Sequence, residues 1–377
     1  MLDELRSNPE VLYGAAIALL VVALLTPAVG GMARLLGVVD RPDGRRLNRR
    51  PVPRLGGLAI FLGILVPALA FLDLTSEIRG ILLGASVACV VGAIDDFTGL
   101  SPPAKLGGQV LAAAIPTAFG VWIDHFTFPF VGVVDLSAWI GVPLTVVWIV
   151  AVMNMVNFLD GMDGLAAGVC AISGVTFSVL ALSLGKVDAA ILSAVVAGAC
   201  IGFLRHNFFP ARIFMGDSGA LVLGFVLATV SIAGLLKTAS TVVLFLPLVV
   251  LAVPIIDTSF VVAKRLKYRR PIHGADQSHL HHRFVSIGFS QRRAAVTMWA
   301  WTATLGAAAL ATRFVPFREG GSWHPWETLA VVGIALVALA FSLYVVYLLE
   351  IVKLANPRIR RRERELPAGQ AEERRTA

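Results

Sequence analysis

A chain of 377 residues that is 57% hydrophobic and only 15% charged falls well below the roughly 25% charge of soluble domains, which excludes an ordinary soluble fold and points to a membrane protein. The net charge of +8 sits in loops between apolar runs, reads as membrane anchoring, and gives no role to nucleic acid. Cys89, Cys170 and Cys200 are odd in number and lie inside apolar runs, so a disulfide framework or zinc knuckle is not expected.

The first ten residues set Asp3, Glu4 and Glu10 against Arg6. They lack the basic start of a cleaved signal peptide, so the following apolar run reads as a retained first span. Eleven stretches approach the roughly 20 residues that cross a hydrocarbon core. They lie at about 11 to 36, 55 to 72, 79 to 95, 105 to 123, 138 to 157, 166 to 184, 188 to 204, 218 to 236, 241 to 263, 295 to 312 and 328 to 352. The expected architecture is an all-α integral membrane protein, with 1–352 as the membrane domain and 353–377 as a solvated basic tail. Of the 32 Lys and Arg residues, 26 fall on one set of alternating loops and six on the other. By the positive-inside rule the first set is cytoplasmic, the N-terminus is outside and the C-terminus inside.

Every polar stretch then maps to the cytoplasmic mouth. The first, VGAIDDFTGLSPPAKLGGQ, places Asp95 and Asp96 at the inner end of the third span. A helix points adjacent residues about 100° apart, so one faces a ligand while the other supports it. The second, NMVNFLDGMDGLAAG, sets Asn154, Asn157, Asp160 and Asp163 at steps of three. Each such step falls about 60° short of a turn, so the four cannot share one helical face. Gly161 and Gly164 predict that the helix ends or tightens there, letting Asn157, Asp160 and Asp163 converge. Helix capping explains any one of these acids alone.

The third stretch, RHNFFPARIFMGDSGA, puts Asp217 at the start of the eighth span. Its GDSG resembles the nucleophile region of chymotrypsin-like proteases, but those are soluble β-barrels and the likeness is set aside. The fourth, DQSHLHHRF, clusters His279, His281 and His282 with Arg283. Zinc would want a fourth ligand and wider spacing, so these histidines suit a phosphate or leaving group better.

Five carboxylates at one mouth repel, by roughly 4 kcal/mol for two unit charges about 4 Å apart at an effective dielectric of 20. A cation must offset them. Hard oxygens favour Mg²⁺ or Mn²⁺, which complete their shells with water and substrate phosphate. Lys105, Arg205, Arg212, Arg283 and the Arg54 loop can contact such anions. A transporter would spread its polar groups toward the midplane, often in repeated halves. Here they gather at one end.

Taken together, PVPRLGGLAIFLG, IDDFTGLSPPAKLGGQ, NMVNFLDGMDGLAAG, NFFPARIFMGDSG and HLHHRF resemble the polyprenyl-phosphate N-acetylhexosamine-1-phosphate transferases in order and spacing. The resemblance implies a plasma-membrane enzyme that moves a sugar-1-phosphate from a UDP-sugar to a polyprenyl phosphate lipid, releases UMP and needs Mg²⁺ or Mn²⁺. It gives residues 1–352 the role of a transferase domain and leaves a homodimer open. It assigns Asp217 to the metal and Asp95, with Asp96 beside it, to the lipid phosphate. Asn157, Asp160 and Asp163 go to nucleotide and metal, with Asn154 and Asn207 shaping the pocket. The histidines with Arg283 go to the diphosphate, and Lys105 and Arg54 to substrate anions. HLHHRF, in place of consecutive histidines followed by an acid, resembles the branch that takes UDP-N-acetylglucosamine over the branch that takes UDP-MurNAc-pentapeptide.

Overall fold

Each of the eleven apolar stretches is helical over all or most of its length. The computed structural model describes residues 2–40, 51–128, 132–236, 241–267, 283–285, 287–315, 318–319 and 322–348. A short helix α1 (Leu2–Ser7) precedes α2 (Glu10–Leu35), α3 (Gly56–Phe71), α4 (Ser76–Thr98), α5 (Pro102–Ala118), α6 (Ala138–Leu159), α7 (Leu165–Ser183), α8 (Val187–Asn207) and α9 (Gly216–Val230). A π-helical turn, Ser231–Leu236, extends α9 and is followed by α10 (Thr241–Val250), α11 (Ala252–Lys267), α12 (Gln291–Phe314) and α13 (Pro325–Leu348).

Among the described residues, eight helices are long and apolar enough to cross a membrane: α2, α4, α6, α7, α8, α9 with its π turn, α12 and α13. The sequence predicts eleven spans, and eight of them meet this measure among the described residues. Helix α3, with 16 residues, rises only about 24 Å, short of a hydrocarbon core of about 30 Å, and α5 has 17 residues. The ninth stretch is broken between α10 and α11 at Leu251. Pro254 explains the break, because it has no N–H to donate to the Val250 carbonyl four residues back and its ring crowds that carbonyl.

Helix α9 lies at the centre, against α3, α4, α6, α7 and α8, while α2 runs along α8 and α12 along α7. Every residue of α9 except Asp217 is buried, which suits a sequence apolar all round. Small residues allow this closeness. A Cβ on Gly57 of α3 would stand 2.0 Å from the Gly219 amide nitrogen, and one on Gly92 of α4 would stand 2.5 Å from the Ser218 Cα. Only glycine admits α3 and α4 to the start of α9. The three cysteines are free and buried, as packing residues.

Among the described residues, three small antiparallel strand pairs supplement the helices. They are β1 (Val39–Asp40) with β2 (Val52–Pro53), β3 (His125–Phe128) with β4 (Gly132–Asp135), and β5 (Arg318–Glu319) with β6 (Ser322–Trp323). Only the first bears on the site, because it aligns Asp40 with Val52 two residues before Arg54.

Candidate active site

The N-terminus of α9 is built by chain segments far apart in sequence. Phe214 donates its N–H to the Pro53 carbonyl at 2.9 Å, while Gly56 and Gly57 donate to the carbonyls of Phe214 and Met215 at 3.0 and 2.8 Å. This backbone stitching brings Arg54 beside Asp217. Nη2 of Arg54 lies 3.9 Å from Asp217 and 3.5 Å from Asp96, and its Nη1 lies 3.8 Å from Asp40.

Asp96 supplies what a helix start lacks. Its two oxygens accept the N–H groups of Asp217 and Ser218 at 2.9 and 3.1 Å and the Ser218 hydroxyl at 2.9 Å. These satisfy orphan donors of α9 and place negative charge at the positive end of its dipole. The side chain has no exposed surface. Gly216, with φ of 69°, makes the turn into α9, and a Cβ there would strike the Asp96 carboxyl at 2.4 Å.

Asp95 faces the other way, as adjacent helical positions must. One oxygen accepts the Leu100 N–H at 2.6 Å, closing the end of α4 after the left-handed Gly99. The other lies 3.1 Å from Lys105 Nζ, which also contacts the Asp217 carboxylate. Lys105 thus joins the end of α4 to the start of α9. One helical turn along α5, Gln109 exchanges amide hydrogen bonds of 2.8 and 3.2 Å with Asn154 of α6.

The stretch after α6 curls as its glycines require. Asp160 ends the helix, and Gly164, at φ of 73°, starts α7. The turn is tied to the segment between α8 and α9 by two hydrogen bonds. Gly164 N–H donates to Asn207 Oδ1 at 3.0 Å, and Ala211 N–H donates to Asp163 Oδ2 at 2.8 Å. Asn207 also donates to the Ile213 carbonyl at 2.9 Å and is 2% exposed, so its amide holds the frame together. Burial raises the pKa of the Asp160 carboxyl well above the ordinary value; the Arg54 guanidinium opposes the rise, and the Asp96 and Asp163 charges add to it. Part of the residue still reaches the surface. Burial also raises Asp163, against the lowering effect of the Ala211 N–H. Asn157 is half-buried on the last turn of α6.

His279, His281 and His282 lie outside the described residues. Arg283 is described, with its guanidinium carbon 4.5 Å from the centre of the Phe260 ring. Three contributors escaped the sequence reading: Asp40, Gln109 and Ser218. Each is an ordinary polar residue whose partner is distant in the chain, and no local motif marks it.

Comparison with known proteins gives this arrangement a family. The family model described as glycosyl transferase family 4 matches residues 78–235, a span that contains all five carboxylates. A probable undecaprenyl-phosphate N-acetylglucosaminyl 1-phosphate transferase of Bacillus subtilis is 39% identical over 300 residues, covering 79% of this chain and 83% of the relative. The chain belongs to glycosyl transferase family 4. A decaprenyl-phosphate N-acetylglucosaminephosphotransferase of Mycolicibacterium smegmatis is 33% identical over 352 residues, 84% of this chain and 85% of its own. A phospho-N-acetylmuramoyl-pentapeptide-transferase of Desulforudis audaxviator is 34% identical over 335 residues, 80% of this chain and 97% of its own.

The residues of this family 4 chain suit a hard divalent cation. Asp95 and Asp217 both turn a carboxylate oxygen to one ammonium, that of Lys105, so a single cationic position already lies between them. One or two carboxylates completed by substrate phosphate is ordinary Mg²⁺ coordination. Among the described residues, no three His, Cys, Asp or Glu side chains converge into a full metal site.

Proposed function

We propose that this chain transfers N-acetylglucosamine-1-phosphate from UDP-N-acetylglucosamine to a polyprenyl phosphate, giving the lipid-linked diphosphate sugar and UMP, at the cytoplasmic face of the plasma membrane. The names of the Bacillus and Mycolicibacterium relatives support the substrates. The observation that carries the chemistry is the junction of Asp95, Lys105 and Asp217, where two helix ends meet around one cationic position.

In the net transfer an oxygen of the lipid phosphate becomes bonded to the sugar-bearing phosphorus, the bond from that phosphorus to the bridging oxygen breaks, and UMP leaves with the bond electrons. Both reactants are anions, so the site must offset repulsion and hold them in line. Asp95, in the last turn of α4, orients the lipid phosphate beside the Lys105 ammonium. Arg54 offsets negative charge from the opposite side. Asn157, Asp160 and Asp163, in the curled segment, hold the nucleotide, with Asn154 and Asn207 fixing the helices that carry them, while the 279–283 segment serves the diphosphate. Asp217 with Asp160 would hold Mg²⁺ or Mn²⁺, which would supply charge neutralisation.

The deciding experiment measures UMP release by the detergent-purified protein, with a short polyprenyl phosphate and a panel of UDP-sugars, with and without Mg²⁺. Metal-dependent release with UDP-N-acetylglucosamine is the expected result. Turnover of UDP-MurNAc-pentapeptide instead would move the chain to the other branch, and no release from any donor would refute the proposal. Release in detergent, with no second compartment, also separates a transferase from a cation-coupled transporter.

A further inference from the structure

Two side chains of α12 grip both segments that frame Asp163. Arg292 donates from Nε and Nη2 to the Phe209 carbonyl at 3.2 and 3.0 Å, with its guanidinium carbon 5.6 Å from the centre of the Phe209 ring. Two residues on, Ala211 gives its N–H to Asp163. Two turns along α12, Trp299 donates from Nε1 to the Leu165 carbonyl at 3.3 Å and meets the Phe208 ring at 5.5 Å between centroids. Leu165 begins α7 directly after the Asp163 turn. The indole occupies space that only a glycine leaves open, since a Cβ on Gly168 would stand 2.0 Å from its Nε1.

Helix α12 therefore touches both sides of the Asp163–Ala211 hydrogen bond. It holds the loop through Phe208 and Phe209, and the start of α7 through Leu165. Apolar packing would hold these segments at a distance but would leave their rotation loose. Hydrogen bonds to two carbonyls fix direction as well. The Asp95 side of the site is built by α4, α5 and α9, whereas among the described residues the side-chain hydrogen bonds of Arg292 and Trp299 go to Phe209 and Leu165.

We infer that Arg292 and Trp299 form a strut that sets the Asp163 turn against the Ala211 loop, making Arg292 a positioning residue for the UDP-sugar and not for the lipid phosphate. The inference rests on the assignment of the Asp163 turn to the nucleotide made above. Arg292 is exposed, so water competes for its hydrogen bonds and its loss weakens donor binding without abolishing it. Arg292→Lys keeps the charge but loses the planar fork, so it restores only part of the function.

The test uses the full-length protein in detergent, with Arg292→Gln, Arg292→Lys and Trp299→Phe. In Arg292→Gln, KM for UDP-N-acetylglucosamine should rise roughly fivefold, while KM for polyprenyl phosphate should stay within about twofold. Arg292→Lys should fall between this variant and the parent. Trp299→Phe, which keeps an aromatic ring and loses the N–H, should shift the same KM to a smaller degree. Hydrogen–deuterium exchange on the substrate-free protein reads the strut without any turnover. Exchange at 160–165 and 209–212 should quicken in Arg292→Gln, with 95–100 unchanged. Unchanged exchange in both segments overturns the strut, and an equal rise in both KM values overturns its selectivity. Failure of the parent protein to use any UDP-sugar would refute the proposed function alone, because the exchange result would still decide whether the strut exists.

Discussion

Adjacent aspartates carry different duties. Asp96 accepts three hydrogen bonds at the start of α9 and is fully enclosed, whereas Asp95 bonds the Leu100 N–H and faces Lys105. Asp96→Ala leaves those donors without an acceptor, at a cost of about 2 kcal/mol or more, so its melting temperature in detergent should fall clearly. Asp95→Asn should melt like the parent, lose turnover and still bind UDP-sugar by calorimetry, while Asp163→Asn should lose that binding. Equal loss of donor binding in the Asp95 and Asp163 variants would show a single indivisible cage. Asp217→Asn keeps its shape and drops a charge, so turnover should fall by about a hundredfold or more, with little rescue by added Mg²⁺. Asp73→Asn, exposed at the far end of α3, is the control and should keep parental turnover. Near-normal activity in Asp217→Asn would reduce that residue to a helix-start acid.

At the scale of elements, the long apolar runs announced the helices, since twenty such residues have few other ways to satisfy their backbone in a bilayer. Proline was a poorer guide. Pro27, Pro67 and Pro143 sit inside continuous helices, and Pro254 lies in the first turn of a new one, so sequence alone could not locate the break at Leu251. The polar motifs were legible as a set, and so was the divergence of Asp95 from Asp96. What was not legible is pairing across long separations, such as Arg54 beside Phe214 or Asp96 beneath a helix start 121 residues later. Those depend on how closely α3 and α4 approach α9, and glycine controls that approach. Gly57→Ala would drive a methyl into the backbone of Gly219, which cannot swing aside as a side chain can. It should lower both melting temperature and turnover by displacing Asp217. Gly107→Ala on α5 meets nothing within 4 Å and should leave both unchanged. Equal tolerance of the two substitutions would mean that the α3–α9 contact does not set the site.

For the whole molecule, the antiparallel run of helices puts all five carboxylates at one end of the bundle. The opposite end has its own chemistry: Thr75, Glu77, Lys186 and Asp188 line a cavity of about 370 Å³ where α4 and α8 begin. In the sequence, 26 of the 32 basic residues fall on the same set of alternating segments as the carboxylates, and because basic loops resist translocation we propose that this set faces the cytoplasm. That asymmetry makes a sharp prediction. The three native cysteines are buried and free, so the parent should label weakly with a membrane-impermeant maleimide. Ser101, at the start of α5, and Asp73, after α3, are both exposed and lie at opposite ends. In intact cells Asp73→Cys should label and Ser101→Cys should not, and both should label once the membrane is opened. Labelling of Ser101→Cys from outside would place the acidic mouth, and with it the proposed UDP-sugar site, on the wrong side of the membrane for a cytoplasmic nucleotide donor.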